Sequence, residues 1–167
     1  MRTEELIQLL PGLHLRKLSR ALGLSMSTIR YHVRGLELNG QVVCLREGGY
    51  VRVYPSAIQS EVERRTYALL QHSPARKILK MLLREGSANG LTNGELAARS
   101  TISQSTASEY VGALRELGLI RRVQVAGGRW ALGVESESRG SLEEMINRFE
   151  KGLFAVATDR FIDLWDF

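Results

Sequence analysis

The chain has 167 residues, a formal net charge of +5 and a single cysteine, Cys44. That length allows one or two small domains, and a lone cysteine excludes an intramolecular disulfide or a cysteine-cluster metal site. No apolar run is long enough to span a membrane and no apolar leader follows the charged N-terminus, so a soluble, cytoplasmic protein without membrane contact is expected.

Residues 3–10 read as a short helix stopped by Pro11-Gly12. Residues 14–22 form the next helix, with Leu15, Leu18 and Leu22 on one face and Gly23 closing it. Ser25 is placed to cap a third helix that runs to about Leu38 and ends at Asn39-Gly40. Residues 42–45 and 50–54 alternate as strands around Glu47-Gly48-Gly49, a tight hairpin. Cys44 lies in its apolar run and is expected to be a small core or sheet residue.

Residues 55–71 are expected to form a bridging helix, with Ile58, Val62, Thr66, Leu69 and Leu70 on one face. Ser73-Pro74 is a second helix start. Residues 75–85 carry Ile78, Leu79, Leu82 and Leu83 on the helix that follows, before a loop at 85–90. Thr92 and Glu95 have capping-box spacing ahead of a helix over 93–99, and Ser103 caps another through Leu117. Strands at 119–125 and 129–132 flank a tip at Ala126-Gly127-Gly128. Residues 133–140 are small and polar, a linker. Ser141 and Glu144 have the spacing of a further capping box. In the last helix Leu142, Met145, Ile146, Phe149, Leu153 and Val156 make an apolar stripe, extended by Phe161, Leu164 and Trp165. Such a stripe must be covered. Dimerisation through it is favoured over folding back.

Residues 13–42 and 91–120 match without a gap at an offset of 78 positions. Leu13 falls on Leu91, Leu18 on Leu96, Ser25 on Ser103, Thr28 on Thr106, Val33 on Val111, Leu36 on Leu114 and Gly40 on Gly118. Each copy runs helix, tight turn, helix, hairpin, which is the order of a helix-turn-helix with a wing. The expected fold is mainly α with small β-hairpin wings (α+β). It comprises two tandem winged helix-turn-helix domains over 1–54 and 73–133, a connecting helix at 55–72, and a linker with an amphipathic C-terminal helix at 134–167.

Residues 1–60 hold 8 Lys/Arg against 4 Asp/Glu, residues 61–133 hold 11 against 6, and residues 134–167 hold 4 against 8. A basic double module with an acidic tail suits a polyanionic partner. In the first copy Ile29, Val33 and Leu36 share one helix face and bury it. The opposite face holds Met26, Ser27, Thr28, Arg30, Tyr31 and Arg34. Arginine pairs bidentately with guanine edges, and hydroxyls near a helix N-terminus serve phosphates. The second copy buries Ala107, Val111 and Leu114 and offers Gln104, Ser105, Thr106, Ser108, Glu109 and Arg115. Gln104 could read adenine, whereas Glu109 repels phosphate. The hairpins add Arg46 and Arg52 in the first copy and Arg121, Arg122 and Arg129 in the second. All these residues except Glu109 are candidate nucleic-acid contacts.

Residues 18–36, Leu-Ser-Arg-Ala-Leu-Gly-Leu-Ser-Met-Ser-Thr-Ile-Arg-Tyr-His-Val-Arg-Gly-Leu, resemble the winged-helix transcription regulators of the ArsR and MarR type, and most of all the tandem regulators common in archaea. Residues 103–120 resemble the same pattern. The resemblance covers about residues 1–133 and implies duplex binding through the third helix and the wing, usually as a dimer. Metal-sensing members use cysteine or histidine clusters. Here Cys44 stands alone and His14, His32 and His72 lack ligand spacing, so neither a metal nor another cofactor is expected.

No G-x-x-x-x-G-K-[ST], H-E-x-x-H or G-x-S-x-G motif occurs, so no catalytic residue is expected. The expected function is a sequence-specific, double-stranded DNA-binding transcription regulator, with a second copy of the chain and the transcription machinery as further partners. The alternative is a protein-interaction scaffold. Tandem winged helices serve that role in kleisin-partner subunits of bacterial condensin and in endosomal-sorting complexes. The acidic side chain on the second recognition helix and the acidic tail suit that alternative.

Overall fold

The computed structural model describes residues 1–160 and their side chains, except those of residues 86–89, 159 and 160. Phe161, Leu164 and Trp165 therefore lie outside the described residues. In chain order the elements are α1 (Thr3–Leu9), β1 (Leu13–His14), α2 (Leu15–Leu22), α3 (Met26–Leu38), β2 (Val42–Glu47), β3 (Tyr50–Pro55), α4 (Glu61–Leu70), α5 (Ser73–Asn89), α6 (Asn93–Ser100), α7 (Gln104–Glu116), β4 (Ile120–Gln124), β5 (Trp130–Val134) and α8 (Arg139–Arg160). The chain divides into two compact units: Met1–Gln71 with the residues from Asn147 onward, and His72–Ile146. None of the described helices is long and apolar enough to cross a membrane.

In the first unit an antiparallel sheet has the order β1-β3-β2. The hairpin register runs from Val42 opposite Pro55 to Glu47 opposite Tyr50. Its turn places Gly48 and Gly49 at φ 54° and 82°, the left-handed pair that a two-residue hairpin turn demands. Strand β1 has no counterpart in the periodicity, because two residues carry no alternation. It pairs Leu13 with Val53 and His14 with Arg52. His14 caps α2 by accepting the Lys17 N–H on Nδ1 at 3.2 Å. Desolvation, and then the cations led by Lys17, hold its pKa down at about 4, so the ring stays neutral and able to accept. The core gathers Leu6 and Ile7 from α1, Leu10 just after it, Leu18 and Leu22 from α2, Ile29 and Val33 from α3, and Val53 and Tyr54 from β3.

The helix expected over 55–71 is shorter. Pro55 ends β3, and Ser60 caps α4 through its hydroxyl on the Glu63 N–H. Thr66, Tyr67 and Leu70 are buried, and the buried Gln71 amide donates to the Pro11 carbonyl at 3.0 Å. The expected connecting helix is thus part of the first unit.

The second unit repeats the local geometry. Helix α5 begins at Ser73 with His72 as its cap and runs to Asn89, so most of the expected 85–90 loop is helical. Thr92 and Glu95 form the expected capping box. In the turn after α6, Thr101 takes the left-handed φ of 55° that Gly23 takes at 61° in the first unit. Strands β4 and β5 pair from Ile120–Val134 to Gln124–Trp130, and Leu91 makes a single bridge to Leu132, close to the place of β1 in the first unit. Ile78, Leu79, Leu96, Ala107, Val111, Leu114 and Leu132 are buried.

The C-terminal helix departs from expectation twice. It starts at Arg139, so Ser141 and Glu144 lie inside it and form no capping box. Gly133 and Val134 complete β5, which shortens the linker. Arg139 donates instead to the Leu83 carbonyl and pairs with Glu143 at 3.3 Å. The stripe of Leu142, Met145, Ile146, Phe149, Leu153 and Val156 is buried within this one chain. These six side chains are therefore not an open dimerisation face. From Asn147 the helix belongs to the first unit, where Gly152 lies so close to α1 that an added Cβ would sit 2.7 Å from Leu10 Cδ2.

Candidate nucleic-acid interface

Helix α3 turns one face inward and the other out. Ile29 and Val33 are buried and Leu36 is half-buried, while Ser27, Arg30, Tyr31 and Arg34 are exposed. Tyr31 is 78% exposed and His32 sits edge-on to it at 5.8 Å, also in solvent rather than packed. Arg30 and Arg34 lie one turn apart, and neither has an ion pair among the described residues. Like charges at this spacing cost a helix about 0.2–0.5 kcal/mol. A polyanion laid on this face removes that cost.

The hydroxyls before each helix serve the backbone first. Ser25 Oγ accepts the Thr28 N–H at 3.1 Å and bonds the hydroxyls of Ser27 and Thr28, each at 2.8 Å. Ser103 repeats this with the Thr106 N–H at 3.1 Å and the hydroxyls of Ser105 and Thr106 at 2.9 and 2.7 Å. Met26 is half-buried. The outer face of α7 differs. Gln104, Ser108, Glu109 and Arg115 are exposed, and Ser108, Glu109 and Gly112 stand where α3 has Arg30, Tyr31 and Arg34. Ser108 Oγ accepts a hydrogen bond from the Asn93 amide at 3.4 Å.

The hairpin arginines fall into two classes. Arg52 is not available to a ligand: its side chain is 15% exposed, donates to the Gly12 carbonyl at 2.9 Å and pairs with Glu47 at 3.3 Å. This corrects its expected role as a wing contact. Arg52→Ala is expected to destabilise the fold by about 1.5–3 kcal/mol, the range for a hydrogen bond to a charged group. It should leave the salt dependence of duplex binding as it was, and urea unfolding beside a salt titration separates the two effects. Arg121 pairs with Glu135 at 3.2 Å and Arg129 with Glu95 at 2.9 Å. Arg46, Arg115 and Arg122 are exposed and have no ion pair among the described residues.

Glu95 holds α6 and the hairpin tip together. One oxygen accepts the Thr92 N–H at 2.7 Å and the Thr92 hydroxyl at 2.9 Å, and the other accepts from Arg129. The Thr92 N–H, then Arg129, lower its pKa from about 4.5 to about 2. A carboxylate depressed on folding stabilises fully above its unfolded value and loses that effect as pH falls through the folded one. Glu95→Gln is therefore expected to lower the thermal midpoint at pH 7, and the gap to the parent should shrink between pH 4.5 and pH 2 in circular dichroism melts.

Sequence periodicity did not single out Leu24, Leu38 or Trp130, all exposed. Leu24 and Leu38 border an open groove of about 800 Å³ in the first unit that also touches Met1, Tyr31 and Arg34. Trp130 stands on β5 beside Arg122 and Arg115, in a cleft of the second unit. A partner for an indole must come from tertiary placement, which residue spacing does not encode.

Residues 75–121, within the second unit, match a family of winged helix-turn-helix DNA-binding domains. Among solved structures the chain is similar to a MarR family protein from Bacillus stearothermophilus, with 25% identity over 64% of this chain and 76% of that one and a TM-score of 0.42. No curated protein matches the sequence.

Proposed function

We propose that this protein is a cytoplasmic, sequence-specific, double-stranded DNA-binding transcription regulator in which both units are winged helix-turn-helix modules, arranged in tandem as in the archaeal regulators its sequence resembles. The observation that carries this reading is the outer face of α3. It presents Arg30, Tyr31 and Arg34 to solvent, the two arginines without an ion pair among the described residues, behind a seam locked by Ile29 and Val33. A helix of this kind fits a major groove about 12 Å wide. Module one supplies most of the phosphate attraction. Gln104, Ser105, Arg115 and Arg122 of module two add contacts, and the face around Glu109 is left for the transcription machinery.

The test is an anisotropy titration with genomic duplex fragments, including the one upstream of its own gene, between about 50 and 200 mM salt. Affinity falling steeply with salt is expected. Weak, salt-independent binding and no retention on heparin would favour the scaffold reading, for which the exposed Glu109 is the supporting feature. A homodimer on a pseudo-palindromic site, with half-sites one turn or a multiple apart, needs a surface other than the α8 stripe, because that stripe is already covered.

A further inference from the structure

In the second unit, α7, the start of α6 and the β4–β5 hairpin enclose a cleft of about 380 Å³. That is near the small end of known ligand sites, about 300–1,000 Å³. The side chains that give it chemistry are Trp130, Arg115, Arg122 and Asn93, with Val111 and Leu132 beneath. No carboxylate lines it. The nearby Glu95 carboxylate is already taken by Thr92 and Arg129.

The sheet register explains the grouping. Arg122 is opposite Leu132 and Gln124 is opposite Trp130, so Arg122 and Trp130 are diagonal neighbours on one face. Trp130 is 59% exposed, an unusual expense of apolar surface on a hairpin. Two guanidiniums without ion pairs among the described residues share the same hollow. Asn93 Oδ1 is buried without a hydrogen-bond partner while its Nδ2 donates to Ser108. Turning the amide over only exchanges which of its atoms goes unmet. The cleft thus combines a flat aromatic face, two cations and an unsatisfied amide.

We infer that this cleft holds one unstacked nucleotide of a nucleic-acid strand, with its base against Trp130 and its phosphate between Arg115 and Arg122. A base inside a duplex offers only its edge. An indole face is used by a base that has left the stack, as at a strand end or an opened step. The inference extends the nucleic-acid reading above, but it rests on side chains of the second unit and not on α3.

The test uses the full chain with Trp165→Phe, which leaves Trp130 as the one indole. Short single-stranded oligo-dA with a 5′-phosphate is expected to quench its fluorescence, at concentrations where inorganic phosphate does not. Variants at Trp130 lack that indole, so their binding is read from the anisotropy of a dye-labelled oligomer, in which Trp130→Ala is expected to weaken it about tenfold or more and Trp130→Phe to keep most of it. Arg115→Ala with Arg122→Ala is expected to flatten the salt slope by about 0.7, the value for one lost phosphate contact on a single strand. Quenching by free adenosine monophosphate as strong as by the oligomer would support the site and identify a free nucleotide as its occupant. No quenching at saturating oligomer, equal binding by a folded Trp130→Ala protein, or inorganic phosphate acting as well as the oligomer would each overturn it. Duplex affinity measured with Arg30→Ala and Arg34→Ala reports on α3 separately, so either site can fail while the other stands.

Discussion

Replacing Arg30 and Arg34 together by alanine is expected to weaken binding to a specific duplex about 100-fold, or about 2.7 kcal/mol. A well-placed bidentate arginine is worth about 1–3 kcal/mol of base discrimination, and this face offers two. If both instead lie on phosphates, the slope of log affinity against log salt should flatten by about 1.8 and the loss should be uniform across sequences. Both outcomes place α3 on DNA, and the pattern across binding sites tells them apart. Stability should move by no more than about 0.5 kcal/mol, because both side chains are exposed and neither has an ion pair among the described residues. An unchanged affinity with an unchanged slope would remove this face from the interface.

The second large effect is expected at α8. Phe149 is buried in the first unit, and Phe149→Ala should cost about 3–5 kcal/mol in urea unfolding. Gly152→Val tests the same contact from the other side. Its Cβ would stand 2.7 Å from Leu10 Cδ2 and 2.9 Å from the Leu9 carbonyl oxygen, where backbone cannot yield cheaply. Overpacking of this kind costs about 1–3 kcal/mol. Both variants are expected to unfold earlier with no concentration dependence. If Phe149→Ala kept full stability and instead shifted a dimer to monomer in sedimentation, the stripe would be an interface between copies.

The reading of the inner and outer faces of α3 and α7 from spacing succeeded because it asks a local question. A 3.6-residue period fixes which side chains share a face, and Ile29 and Val33 leave Arg30 and Arg34 no direction but outward. Caps are local too, and Ser25, Thr92 and Ser103 bond the N–H groups three residues on. Where two nearby starts competed, the local signal was insufficient. Ser141 and Glu144 had the right spacing, but Arg139 begins α8 two residues earlier, tied to Leu83.

What the sequence determined by itself was therefore the order of the helices and hairpins, the inner and outer sides of α3 and α7, and the excess of cations on the two repeats. Tertiary structure alone decided which arginines remain open to a ligand and what covers the last helix. Arg52 and the carbonyl that holds it are 40 positions apart in the chain. Gly152 meets Leu10 across a still longer interval. Periodicity reports that a face is buried but carries no information on the surface that buries it, because that surface is set by the packing of distant segments.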